Sequence, residues 1–265
     1  MNLSKLLSAV SLIILSCLLA FTSPLIQTSR DNSSDWQPLF NGEDLSEWQQ
    51  LNGKAKYELK EGVIIGTSVY GTPNSFLCTK KEFGDFILEF EILDDPRLNS
   101  GVQIRSLSDK NHMNGRVYGY QVEIDPSSRA FSGGIYDEAR RGWLYPLSRN
   151  PKGQTAFKNG QWNAYRVEAI GNTLRTWVNG IQTANLVDAE TASGFIALQV
   201  HSIGDRSLEG AQIMWRNLRI KTANLNDSSW PSDPEVVQIS YLTNALSDQE
   251  VRTGWRLLWD GTSSA

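Results

Sequence analysis

Between residues 62 and 221 the chain alternates hydrophobic and polar positions in short runs, each closed by Gly, Asn, Asp, Ser or Pro. A period of two marks a strand that presents one face to a core and turns the other away from it. The runs predict strands at 62–67, 76–79, 85–93, 101–105, 118–125, 131–136, 162–170, 173–178, 181–187, 194–201 and 211–221. Two tight turns are explicit. Gly171-Asn172 joins YRVEAI to TLRTWV, and Asn179-Gly180 joins that strand to IQTANLV, so a three-strand meander is expected. No long helical periodicity interrupts the series and no βαβ rhythm appears. The pattern predicts an all-β fold, an antiparallel two-sheet sandwich of the jelly-roll kind.

The same alternation sorts side chains by face. Val122 and Ile124 point to the core, which leaves Gln121, Glu123 and Asp125 on the opposite face. By the same reading Gln103 and Arg105 lie opposite Val102 and Ile104, and Gln199 and His201 lie opposite Ile196, Leu198 and Val200. Three strands then carry hydrogen-bonding and titratable groups on their outer faces. If they are neighbours in one sheet, that face is a polar binding surface. Each residue also has a plainer reading: the glutamines as solvated strand positions, Arg105 as a surface partner of Glu123, and His112 as a solvated loop residue. Pro126-Ser127-Ser128 and Ser132-Gly133-Gly134 predict a loop. After it come Tyr136, Asp137, Glu138, Arg140, Arg141 and Trp143, a dense set of contact-forming side chains.

The two ends read differently. Lys5 followed by the apolar run 6–21 predicts an export signal over 1–23, too short for a membrane span, with a spacer at 24–35. Cys17 follows Ile14-Leu15-Ser16, a lipoprotein-like box, while cleavage near Thr22 or Ser23 is the alternative. The expected location is outside the cytoplasm: periplasm, outer-membrane lipoprotein or secreted. Membrane attachment would come only through a lipid at Cys17. Cys78 is then alone in the exported part and is expected to be a buried small hydrophobe. The jelly roll is assigned to 36–223 and a linker to 224–253, with Ser247-Asp248-Gln249-Glu250 as a capping box opening a short helix. From Gly254, WRLLWDG repeats the spacing of WQPLFNG at Trp36, so the start of a second copy is expected at 254–265, with its remainder beyond Ala265.

Composition narrows the partners. The chain has 265 residues and a net charge of -4, with no basic run, which argues against a phosphate backbone as ligand. Nine Trp and eight Tyr offer flat faces for sugar rings, or equally the filler of a sandwich core. Two His and one mature Cys make no zinc spacing, and no nucleophile elbow or phosphate loop is present.

Several motifs together carry a family resemblance: NGEDLSEW, LNSGVQIRS, GYQVEID, SGGIYDE, QWNAYRVEAIGNTLRTWVNG, FIALQVHSIG and WRNLRIK. In this order they resemble the 3-keto-disaccharide hydrolase domain of exported bacterial proteins, over residues 36–221. The resemblance implies a concanavalin A-like jelly roll acting on glycosides already oxidised to a ketone at C3. That ketone acidifies the C2 hydrogen, so a base can eliminate the C1 substituent and water can then add. For such a site, residue type, strand face and motif position nominate Glu123 or His201 as base, Arg105 as stabiliser of the enolate, and Asp125 as hydroxyl ligand or proton donor. Tyr136, Arg140, Arg141 and Trp143, with Gln103, Gln121 and Gln199, would contact the sugar. No cofactor is assigned, and a divalent metal at the enolate, held by His201 and carboxylates, is left as an open option. The segment YDEARRGWLYPL is richer in arginine than the family pattern, which bears on the preferred substrate. The alternatives are a non-catalytic carbohydrate-binding module, lectin or laminin G-like, and a structural module of an exported assembly.

Overall fold

Turn residues cut this chain into strands because each places the backbone where an extended run cannot continue. The computed structural model describes residues 35–259 and 261. Its strands are β1 (Trp36–Pro38), β2 (Trp48–Asn52), β3 (Lys56–Lys60), β4 (Val63–Thr67), β5 (Ser75–Phe83), β6 (Phe86–Asp94), β7 (Ser100–Ser108) and β8 (Val117–Ile124). They continue with β9 (Ile135–Glu138), β10 (Gly142–Tyr145), β11 (Asn163–Ile170), β12 (Thr173–Val178), β13 (Ile181–Val187), β14 (Gly194–Val200), β15 (Gln212–Lys221) and β16 (Ile239–Ser240). One short helix follows, α1 (Asp248–Arg252). The reading of 1–23 as a signal, including Cys17, and positions 260 and 262–265 lie outside the described residues.

The strands form two sheets. One runs β16-β13-β12-β11-β6-β15-β4-β3 with β1 added on β15, and the other runs β10-β9-β8-β7-β14-β5-β2. The β13–β16 pair is parallel, and the main sheet pairs are antiparallel. The meander β11-β12-β13 turns through left-handed backbone at Gly171 (φ 54), Asn179 (φ 49) and Gly180 (φ 80). Between the sheets lies one core. Leu88, Phe90 and Ile92 of β6 meet Val102, Ile104, Val122, Ile124, Ile196, Leu198 and Val200 there, each burial worth on the order of 2 kcal/mol. The sandwich is the expected one.

Local differences have local causes. The run at 131–136 is a strand only from Ile135, because the chain first turns at Gly133 (φ 87), where a Cβ would sit 2.4 Å from Thr183 Oγ1. Strands β1, β2, β3, β10 and β16 were not expected. They are short or carry polar residues on exposed positions, so alternation is weak in them. Cys78 is buried, and that burial pushes its thiol well above the ordinary range.

The outer face of the nine-stranded sheet carries a row of alternating charges across four strands. Arg219 Nη2 lies 2.5 Å from Glu89, Arg166 bridges Glu89 at 2.6 Å and Glu168 at 2.7 Å, and Arg175 reaches Glu168 at 2.6 Å. Residues 224–241, read above as linker, lie along this face. Ser229 Oγ and Trp230 N–H donate to Glu168 at 2.7 and 2.8 Å, Asp233 N–H donates to Gln182 Oε1 at 2.6 Å, and Tyr241 N–H donates to Val187 O at 2.8 Å. Beyond them Ser247 caps α1 with both bonds of a capping box, and Trp255, Leu258 and Trp259 are exposed.

At one end of the core, Asp94 is buried and neither carboxylate oxygen has a hydrogen-bond partner. Burial, with the charge of Asp95 adding to it, pushes Asp94 up to about 7. A carboxyl raised in the folded state costs nothing while it is protonated in both states. It destabilises progressively as pH rises from the unfolded value through the folded one. Asp94→Asn is therefore expected to raise the midpoint of thermal unfolding relative to the parent at about pH 8, and the advantage should vanish only below the unfolded carboxyl value, near about pH 3. Parallel melting curves at the two pH values check it.

Candidate active site

Strands β7, β8 and β14 are neighbours, so the polar positions that alternation assigned to their outer faces meet. The Cα pairs Gln103↔Gln121 and Gln199↔Gly101 set the rows. From them a directional network runs to one carboxylate. Ser106 Oγ donates to Gln103 Oε1 (2.8 Å), and Gln103 Nε2 and Gln199 Nε2 both donate to Gln121 Oε1 (2.7 and 2.8 Å). Gln121 Nε2 then donates to Glu123 Oε2 at 2.9 Å, while Asn99 Nδ2 donates to Glu123 Oε1 at 2.7 Å. Gly101 makes room for this: a Cβ there would lie 2.5 Å from the Gln121 side chain. Gln103 and Gln199 are fully buried and hold Gln121 from below, out of reach of a ligand.

Glu123 opens into a cleft of about 580 Å³ shared with Gln121, Asp125, Tyr136, Trp143 and His201. Burial dominates its chemistry and pushes it up to about 7, against the hydrogen bonds from Asn99 and Gln121 and the charge of Arg129, and with that of Asp125. Asp125 has the opposite balance. Burial is again the largest influence and pushes upward, but hydrogen bonds from Ser127 and Arg129, with the Arg129 charge, outweigh it and hold the carboxyl below its ordinary value. Two adjacent carboxylates are thus driven apart in acidity, an arrangement that assigns different roles to the two.

Two further groups complete the cleft. His201 is half-buried, and its Nδ1 lies 2.7 Å from Ser202 O; a carbonyl only accepts, so Nδ1 carries the proton and Nε2 the lone pair of the neutral ring. Arg129 is the cation over the carboxylates. Its Nε donates to Asp125 Oδ2 at 2.7 Å, Nη2 stands 3.6 Å from Glu123 Oε1, and the guanidinium lies over Trp143 and Phe131 at 5.1 and 5.3 Å. Tyr136 and Phe131 meet Trp143 edge-on at 5.2 and 5.0 Å, so the three rings form an aromatic wall.

Besides Gln103 and Gln199, which lie beneath the cleft and not in it, three expected site residues lie elsewhere. Arg105 is buried away from the cleft and does not face Glu123. The alternation breaks at a bulge between Ile104 and Leu107, where Arg105 adopts φ 45 and its side chain swings to the end of the sandwich. There it donates to Gly84 O (2.8 Å), Gly171 O (2.7 Å), Ala169 O (3.1 Å) and Asp85 Oδ1 (2.8 Å). Arg140 and Arg141 are also outside. They pair with the buried Asp137 at 2.9 and 2.5 Å, and Arg141 also with Asp188, which accepts from Tyr120 Oη. Asp137 pairs with core-facing Tyr120 in the β8–β9 register, so both arginines are drawn toward the interior edge. Asn99, Arg129 and Arg116, which pairs with Glu138 at 2.8 Å, were missed. The only sequence hints were that Asn99 begins the motif NSGVQIRS and that Arg129 stands four residues after Asp125.

The open option of a metal gains no support from the cleft. Among the described residues no three His, Cys, Asp or Glu side chains gather to hold an ion. The Nδ1 of His201 faces a carbonyl, and Glu123, Asp125 and Glu138 are each held by amides or arginines.

The family described as the 3-keto-alpha-glucoside-1,2-lyase-like domain matches residues 35–221. The chain belongs to this family. Membership ties the protein to carbohydrate, and the match spans both sheets except β16 and includes every cleft residue named above. No curated protein matches the chain. Among solved structures, a candidate glycosyl hydrolase from Parabacteroides distasonis ATCC 8503 is 16% identical and covers 72% of this chain and 95% of its own, with a TM-score of 0.52. A protein of unknown function with a galectin-like fold from Bacillus subtilis is 9% identical and covers 71% of this chain and 94% of its own, also with a TM-score of 0.52. At these identities the likeness is one of fold.

Proposed function

We propose that the protein is an enzyme that cleaves 3-keto-glycosides by elimination followed by hydration. The observation that carries this reading is Glu123, a buried carboxylate at the floor of the cleft with its acidity moved to about 7 and both oxygens already accepting hydrogen bonds. Such a group is built to be ionised near neutrality, where a general base is most effective. Glu123 takes the proton from C2 of the sugar, and the C2–H electron pair becomes the enolate of the C3 ketone. Arg129, held over the carboxylates by Asp125, stabilises the oxygen on which that charge develops. As the enolate collapses, a C1=C2 double bond forms and the C1–O bond breaks. Glu123, now carrying the C2 proton, passes it to the departing oxygen. Water then adds across the enone, its proton to C2 and its hydroxyl to C1, giving the free 3-keto sugar. The Trp143 wall supports the apolar face of the ring.

The test is incubation of the domain with an aryl 3-keto-glucoside and with the unoxidised parent glucoside. Aglycone release is expected from the keto form alone. Release from both at similar rates points to an ordinary glycosidase, and binding of either without release points to a lectin-like module; each outcome overturns the proposal.

A further inference from the structure

The cleft occupies the seven-stranded sheet, but the larger depression in the protein is on the other one. Across the outer face of the nine-stranded sheet runs a trough of about 790 Å³. Its floor includes Ala164, exposed on β11 between the longer side chains of its neighbours. Its walls are tryptophans whose planes are already fixed. Trp36 lies under the Arg219 guanidinium at 4.6 Å; Trp230 lies under that of Arg166 at 4.6 Å and meets Trp177 edge-on at 5.6 Å. Trp230 remains 39% exposed although it is tied down through its backbone, so an apolar plate stands at the trough in a fixed orientation beside Trp177.

We propose that this trough is a second carbohydrate site, one that takes a neutral hexose oligosaccharide such as a segment of a longer glycan. Pyranose rings present apolar C–H faces and hydroxyl edges, and the trough offers both complements. The indole planes take the faces. Guanidinium N–H groups and carboxylate oxygens standing side by side, as in the solvent-accessible pair Arg219–Glu89, donate to and accept from the hydroxyls. Charge selects the ligand class: the row of arginines and glutamates is internally paired, so a charged ligand would have to break an existing ion pair, whereas a neutral polyol need not. An extended peptide adding to a sheet edge is disfavoured, because the trough lies on the face of strands whose edges are already paired. The site is separate from the reaction proposed for the cleft, and its ligand need carry no ketone.

The test is native affinity electrophoresis of the protein in gels containing dextran, laminarin, hydroxyethylcellulose or, as a charged control, polygalacturonate. At least one neutral polysaccharide is expected to retard the wild type. Trp230→Ala, and Ala164→Gln, which fills the floor without removing a contact, should each weaken that retardation by at least about tenfold. Glu123→Gln should migrate like the wild type. Failure of every neutral polysaccharide to retard the wild type overturns the proposal, as does retardation by polygalacturonate alone. Unchanged binding by Ala164→Gln, or loss of binding in Glu123→Gln, overturns it as well, the last placing the glycan in the cleft. None of these readouts depends on turnover, so failure of the keto-glycoside assay leaves the test intact.

Discussion

Glu123→Gln is expected to lower aglycone release from a 3-keto-glucoside by about three orders of magnitude, the middle of the range a positioned general base contributes. The amide has nearly the same shape, but it offers no lone pair of carboxylate basicity to the C2 proton. In the parent enzyme kcat/KM should rise with pH through about 7, where Glu123 loses its proton, and then level off. A profile that instead falls through that range makes Glu123 the acid and transfers the base role to His201. Stability should move the other way. Because Glu123 is raised in the folded state, ionisation costs nothing below the unfolded value and destabilises increasingly up to the folded one. Between about pH 5 and pH 8 the parent should lose about 3 kcal/mol relative to Glu123→Gln. Only the change with pH is diagnostic, since the amide NH2 must also face Asn99 or Gln121, both donors. Chemical denaturation at several pH values measures it, and parallel curves would exclude a strained buried carboxylate here.

Arg105→Met is expected to destabilise the fold by about 3 kcal/mol, the effect of breaking a buried charged cluster. Its guanidinium gathers three backbone carbonyls, from the β5–β6 turn and the end of the β11–β12 hairpin, together with Asp85. That clasps the edge of one sheet to the other. Methionine keeps much of the volume but leaves Ala169 O without its partner in a dry environment. Since Arg105 is remote from the cleft, kcat/KM of the folded variant should stay within about twofold of the parent. The pair of measurements separates this clasp from the enolate-stabilising role that residue type and strand position suggest. A large loss of kcat/KM at unchanged stability would restore that role.

Arg105 also shows where sequence reasoning stops. Period-two alternation is a local property of extended backbone, and for Val122, Glu123, Leu198 and Gln199 it sorted core from non-core faces correctly. It fails at Arg105 because a single left-handed residue resets the phase, and nothing in GVQIRSLS announces the bulge. Arg140 and Arg141 were misplaced for a different reason. Their partner Asp137 faces inward beside Tyr120, a consequence of the β8–β9 register that residue type does not encode. Arg129 was overlooked because its place over Glu123 depends on the 126–134 loop folding back. That fold is held by Gly133 N–H donating to Glu123 O at 2.8 Å and by Arg129 itself reaching Asp125.

By itself the chain determined its longer strands, its meander turns, the two-sheet architecture and the polar faces of β7, β8 and β14, because each of these follows from side-chain period and turn chemistry within about ten residues. The tertiary structure alone decided which of those faces adjoin. It also decided that Glu123 would be dry enough to titrate near neutrality, and that Arg129 rather than Arg105 would stand beside it. Acidity and proximity depend on what the rest of the chain brings within a few ångströms, and contacts between residues far apart in number leave no periodic trace in the residues that make them.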